Sequence, residues 1–148
     1  MMKTIWFDLD GTFANLYAVE GWLSMLRAYD PTPYAEAETM LNMSLLARYL
    51  NRLRKAGYQI GIISWLSKCP TPEYDAAVTA AKLAWLKKHL QSVSWDAIRI
   101  VAHGTPKSSF MESEDDILFD DEAPNRDSWG GEAYHPDMIM EILSSLAA

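Results

Sequence analysis

The stretch Ile5-Trp6-Phe7-Asp8-Leu9-Asp10-Gly11-Thr12 constrains this chain more than any other. An apolar run stops abruptly at two carboxylates, a glycine and a threonine. Ile, Trp and Phe suit a packed, pleated surface, so the run reads as a buried strand. Asp8 and Asp10 then fall at or just past its C-terminal end. In open α/β sheets that is the edge where ligands bind. Two acids one residue apart repel each other, which raises a pKa unless a cation sits between them. A hard divalent ion with oxygen ligands, such as Mg²⁺, is the simplest remedy. Gly11 lets the chain turn sharply or approach a ligand closely. Taken alone, the five residues from Asp8 to Thr12 read equally well as a turn with a helix N-cap. The rest of the chain decides between the two.

Further apolar runs follow, each separated by a helical pattern. Residues 59–63 read as a central strand ending at Ser64, 97–102 as a third and 116–119 as a fourth ending in Asp120-Asp121, with an edge strand at 133–135. Helical spacing of apolar residues predicts helices over 18–28 (Val19, Trp22, Leu23, Leu26), 35–56 (Met40, Met43, Leu46, Leu50, Leu53) and 136–146 (Met138, Ile139, Ile142, Leu143). A further helix runs from Thr71 to about Leu90, with Thr71 as N-cap and Pro72 in the first turn. Strands alternating with helices are the mark of βαβ units. The expected fold is α/β: one doubly wound, Rossmann-like domain over residues 1–148, with a mostly parallel sheet and helices on both faces.

Charge and cysteine usage narrow the function classes. A net charge of −7 argues against a broad nucleic-acid-binding surface, which needs positive potential, but leaves room for one nucleotide in a pocket. The single cysteine, Cys69, has no base partner nearby in sequence and reads as a structural thiol. One cysteine and no secretion signal, in a chain that enters a strand almost at once, predict a cytoplasmic protein. No apolar run approaches the length of a membrane span.

Every expected strand leads to polar residues of a useful kind: Asp8 and Asp10, then Ser64, then Lys107, then Asp120 and Asp121. In a parallel sheet these ends share one edge and converge. The four segments, Asp8-Leu9-Asp10-Gly11-Thr12, Ile62-Ile63-Ser64, Lys107 and Ile117-Leu118-Phe119-Asp120-Asp121, resemble the ordered motifs of the haloacid dehalogenase (HAD) superfamily, whose members are mostly Mg²⁺-dependent phosphatases and phosphotransferases. The resemblance spans residue 4 to about 125. It implies that Asp8 is a nucleophile forming an aspartyl-phosphate, and that Asp10 protonates the leaving oxygen and then acts as base. It further implies that Ser64 hydrogen-bonds a phosphoryl oxygen and that Lys107 neutralises charge on phosphate and Asp8. Asp8, the backbone carbonyl of Asp10, Asp120 and Asp121 would hold Mg²⁺, with the direct ligand among the last two left open. Lys68 is the rival of Lys107 but fits the pattern less well. Asp115 and Asp116 precede a strand and read as a solvated approach. His103 reads as structural or exposed.

The spacing between motifs leaves no room for a large cap domain, although residues 13–34 have the length for a small lid. Six tryptophans are many for 148 residues, and Trp22, Trp65 and Trp129 are candidates for an aromatic wall at the sheet edge, against the competing reading of core packing. The expected function is hydrolysis of a small phosphorylated substrate, with a nucleotide or nucleic-acid terminal phosphate as the leading guess. The alternative is a catalytically silent HAD-like binding or regulatory protein. A phospho-receiver domain is disfavoured by the order of the motifs.

Overall fold

The first strand, β1 (Thr4–Phe7), is buried along its whole length. A computed structural model of the chain describes residues 3–68 and 71–148. Cys69, read above as a structural thiol, lies outside them. Four more strands flank β1: β2 (Gln59–Trp65), β3 (Ala97–Val101), β4 (Ile117–Phe119) and β5 (Ala133–Tyr134). Their order is β3-β2-β1-β4-β5 and every pairing is parallel. The alternating βα pattern therefore does produce a Rossmann-like parallel sheet with β1 at its centre.

The side-chain alternation of β1 divides the core. Ile5 and Phe7 face one side with Ile60, Ile62, Ile117 and Phe119. There they meet Leu46, Leu50 and Leu53 of α3 (Met43–Lys55), Trp85 and Leu86 of α4 (Pro72–His89), and Ile139 and Leu143 of α6 (Ile139–Leu146). Trp6 faces the other side with Ile63, Leu118 and Trp129. That side is covered more thinly, with Phe110 and Met111 packing against it from a 3-10 turn (Lys107–Phe110) and its cap. Trp6 pairs with Gly61 across the ladder, and a Cβ at Gly61 would overlap the Trp6 ring. Only glycine leaves space for the indole there.

The expected helix over 18–28 is instead a 3-10 turn (Leu16–Ala18) followed by α1 (Trp22–Arg27), which begins after Gly21 in a left-handed conformation. None of its residues is fully buried: Trp22 and Leu23 form no core stripe, and Leu26 packs only at the edge of the small cluster of Leu16, Tyr34, Tyr74 and Val78. The expected helix over 35–56 is two helices, α2 (Thr32–Glu36) and α3. Residues 37–42 leave the helix to pair with the loop after β1: the Asn15 N–H donates to the Glu38 carbonyl at 2.8 Å and the Met40 N–H to the Phe13 carbonyl at 2.9 Å. Met40 is thereby turned outward, and Asn42 caps α3 by accepting the Leu45 N–H. At the C-terminal end, residues 136–138 form a 3-10 turn before α6, and Met138 is exposed rather than inward.

Asp116 corrects the sequence reading most sharply. It is fully buried, not solvated. Its Oδ1 accepts the Thr4 N–H at 3.0 Å, and its Oδ2 accepts Trp6 Nε1 at 3.2 Å and the Glu112 N–H at 2.9 Å. A carboxylate can sit in a core when N–H donors replace its water. Here it staples the start of β1 to the turn before β4. Among the described residues, no helix is long and apolar enough to cross a membrane.

Candidate active site

The C-terminal ends of β1, β2 and β4 open onto a cavity of about 540 Å³. Asp8 follows β1 directly, and its N–H continues the ladder by donating to the Phe119 carbonyl at 2.9 Å. The backbone then folds back, with the N–H groups of Thr12, Phe13 and Ala14 all directed at the Leu9 carbonyl. This tight reversal requires Gly11 at φ +80°. It also brings Gly11 so close to Asp121 that a Cβ would overlap the carboxylate. The D-x-D-G-T segment is thus a turn, and one that delivers two acids and a close backbone approach to the cavity.

Lys107 forms the centre of the site. It enters from the turn that follows β3 and is almost completely buried. Its Nζ lies 2.9 Å from Asp8 Oδ1 and 2.7 Å from Asp120 Oδ2. Burial pulls its pKa down, but the charges of Asp8 and Asp120 outweigh burial and hold it above the ordinary lysine value. Asp120 is itself fully buried. Burial first, and the charge of Asp8 second, raise its pKa against the opposing pull of Lys107. Both its oxygens are occupied: Oδ2 accepts Lys107 and Asn125 Nδ2, and Oδ1 accepts the Glu122 N–H at 2.9 Å. The Thr12 hydroxyl donates to Asp8 Oδ2 at 3.2 Å.

Asp8, Asp120 and Asp121 each offer a carboxylate oxygen within 4.8 Å of the others. One lysine does not balance three acids. Asp121 bears the excess: burial, then the charge of Asp8, push it up to about 8, and its own backbone N–H is the sole opposing influence. Such a carboxylate holds a proton near neutrality unless a cation takes the proton's place. The donor set, all oxygen and predominantly acidic, suits a hard divalent ion of the Mg²⁺ type.

The remaining predicted residues are placed as follows. Asp10 lines the cavity beside Asp8. Ser64 lies at the end of β2 but is fully buried and does not line the cavity. Its Oγ accepts a hydrogen bond from Lys82 Nζ at 2.6 Å. The same ammonium lies 2.9 Å from Asp10 Oδ2 and donates to the Trp65 carbonyl at 2.7 Å. Sequence reasoning missed Lys82. The available signal was its place on the buried stripe of α4, four residues after Val78 and three before Trp85. A lysine at a core position requires a partner inside the protein.

Aromatic and apolar side chains make the outer walls. Tyr17, Trp22, Leu23, Leu26 and Tyr34 come from the segment between β1 and α3, which also contains the residues expected to form a small lid. Trp65 and His103 stand opposite, with ring centroids 4.7 Å apart. Burial, then the charge of Lys68, lower the His103 pKa. Trp129 is not part of this wall, because it is buried in the second core cluster with its Nε1 donating to the Asp116 carbonyl.

No protein-family model matches the chain, and no curated protein matches it in sequence. Solved structures do. The chain is similar to D,D-heptose 1,7-bisphosphate phosphatase from Burkholderia thailandensis, with 16% identity and a TM-score of 0.53 over 96% of this chain and 99% of that one. It is also similar to a chain named as a HAD-like phosphatase, from Mesorhizobium loti, with 12% identity and a TM-score of 0.57 over 99% of this chain and 86% of that one. At such identities the likeness is one of fold. The fold is thus shared with these two phosphatases, in line with the resemblance of the four sequence motifs.

Proposed function

We propose that this chain, built on the fold of the HAD-like phosphatases, is an Mg²⁺-dependent phosphomonoesterase working through an aspartyl-phosphate on Asp8. The observation that carries this reading is the buried Lys107 bridging Asp8 and Asp120, with Asp121 beside them, where three strand ends meet a cavity. Asp8, Asp120, Asp121 and the backbone carbonyl of Asp10 would hold the ion. Of the two adjacent acids, Asp121 would be the direct ligand and Asp120 a supporting charge behind it, since the oxygens of Asp120 are already engaged by Lys107, Asn125 and Glu122. The bound ion supplies positive charge to the phosphoryl oxygens and the surrounding carboxylates.

The chain's own groups account for the rest. Lys107, 2.9 Å from Asp8, adds positive charge opposite the transferring phosphoryl group. An Asp8 oxygen attacks phosphorus, the ester P–O bond breaks, and Asp10 gives its proton to the leaving oxygen. Water then attacks the phosphorus of the aspartyl-phosphate. Asp10 takes the water's proton, inorganic phosphate leaves and the Asp8 carboxylate is restored. The Ser64 hydroxyl, fully buried and outside the cavity lining, supports Lys82 by accepting its N–H rather than meeting the phosphoryl group directly.

The walls favour a substrate with a flat apolar group. Tyr17, Trp22 and Trp65 offer faces on which a nucleobase stacks, so a nucleotide or a nucleic-acid terminal phosphate is the proposed substrate. The decisive experiment measures phosphate release from nucleoside monophosphates, sugar phosphates and 3′- and 5′-phosphorylated oligonucleotides, with Mg²⁺ and with EDTA, for wild type and Asp8→Asn. Turnover that needs both Mg²⁺ and Asp8 supports the reading. A folded, Mg²⁺-binding protein that turns over no member of the panel would favour a silent binding role instead.

A further inference from the structure

We propose that Lys82 is a positioning residue that aims the Asp10 carboxyl group at the leaving oxygen and ties it to the end of β2. The proposal rests on the phosphatase reading above and adds a residue that none of the four motifs contains.

Lys82 has no exposed surface. Its ammonium donates to Ser64 Oγ at 2.6 Å and to the Trp65 carbonyl at 2.7 Å, and forms an ion pair with Asp10, Nζ to Oδ2 2.9 Å. The Tyr34 ring lies beneath it, with its centroid 5.0 Å from Nζ. The ammonium is thus anchored by hydrogen bonds at two points on β2, with its charge set against one oxygen of Asp10. The fixed charge favours the rotamer that keeps Oδ2 against Nζ and so restricts the turning of the carboxyl group about its Cβ–Cγ bond. The carboxyl group remains partly exposed at the cavity, which leaves Oδ1 as the oxygen free to serve the substrate. A proton is delivered efficiently only when donor and acceptor meet at hydrogen-bond distance, so fixing the carboxyl plane before the substrate arrives lowers the cost of alignment. Lys107 cannot provide this, because its contacts go to Asp8 and Asp120.

The reaction itself distinguishes positioning from general support of the fold. Breaking an alkyl ester needs the Asp10 proton, because the leaving alkoxide is too basic to depart alone. Breaking a 4-nitrophenyl ester does not, because nitrophenolate is stable. The experiment is single-turnover release of alcohol from 2-phenylethyl phosphate and of nitrophenolate from 4-nitrophenyl phosphate, with Mg²⁺, by wild type, Lys82→Met, Lys82→Arg, Asp10→Asn and the Asp10→Asn/Lys82→Met double variant. Lys82→Met is expected to slow the alkyl ester about 100-fold, the range of a lost proton transfer, while the nitrophenyl ester slows by less than about tenfold. Lys82→Arg keeps a charge and shows the same selectivity at smaller size; it carries the comparison if the methionine variant does not fold. In the Asp10→Asn background, losing Lys82 should cost no more than about another twofold, since residues acting as one unit are not additive. Equal slowing of both esters, or full additivity with Asp10→Asn, overturns the proposal and leaves the phosphatase reading standing. No release of either product by wild type overturns both.

Discussion

Replacing Asp116 with alanine should destabilise the protein severely, although the residue lies outside the proposed chemistry. Two of its donors, the Thr4 N–H and Trp6 Nε1, are buried bonds to a fully buried acceptor. Each, left without a partner, costs about 1–3 kcal/mol, so the pair amounts to about 2–6 kcal/mol. The Glu112 and Ser113 N–H groups are only partly buried, and water can replace the carboxylate there. The sum compares with a total stability of about 5–15 kcal/mol for an ordinary domain. Urea unfolding followed by tryptophan fluorescence suits the test, because Trp6 and Trp129 both bond to Asp116. The midpoint should fall sharply with the slope unchanged. Asp115→Ala, at an exposed neighbour, is the control and should leave the midpoint in place. If the two variants unfold together, or Asp116→Ala loses less than about 1 kcal/mol, the staple argument fails, because one orphaned buried donor alone would cost that much.

The other predictions concern the cavity. Gly11→Ala should weaken Mg²⁺ binding in calorimetry, because the new methyl group displaces Asp121 while the backbone is strained at φ +80°; undiminished affinity would contradict the role given to Asp121. Asp121 is raised from an ordinary 3.8 to about 8 in the folded state, so the native chain retains a proton that the unfolded chain releases. In EDTA the melting temperature should therefore fall as pH rises from about 4 to about 8, and Mg²⁺ should flatten that decline. A melting temperature that rises across this window in EDTA would refute the assignment. Trp22→Ala should raise KM for a nucleoside monophosphate by about five- to tenfold, the worth of one stacking contact of about 1 kcal/mol or more, with little change in kcat; an unchanged KM would remove Trp22 from the binding wall.

The five strands and the helix capped by Thr71 lie where the sequence puts them, and the pattern is plainest where a strand is buried on both faces. Residues 4–7, 59–65 and 117–119 are apolar runs with turn residues after them, and no partner elsewhere changes that pattern. The convergence of Asp8, Lys107, Asp120 and Asp121 followed from placing such strands in parallel. What escaped depends on partners distant in sequence. Residues 37–42 have helical spacing, yet the loop at 13–15 captures their backbone. Asp116 is buried because residues more than a hundred positions earlier, Thr4 and Trp6, supply its donors. Lys82 resembles any lysine on a helix until β2 passes beneath it. The stripe on α1 mimics a core face because a cavity wall and a core wall draw on the same residues.

The packing of Trp6 over Gly61 has a consequence beyond the core. Two strands sliding past each other by one residue would exchange inward and outward faces, and by two would keep the faces but shift both ends. The indole admits neither, because it seats only where the neighbouring strand has no side chain. Asp8 lies two residues beyond Trp6, and Ser64 three beyond Gly61. The relative height of the Asp8 carboxylate and the Ser64–Lys82 anchor is therefore gauged from inside the sheet, by a contact that no substrate ever meets.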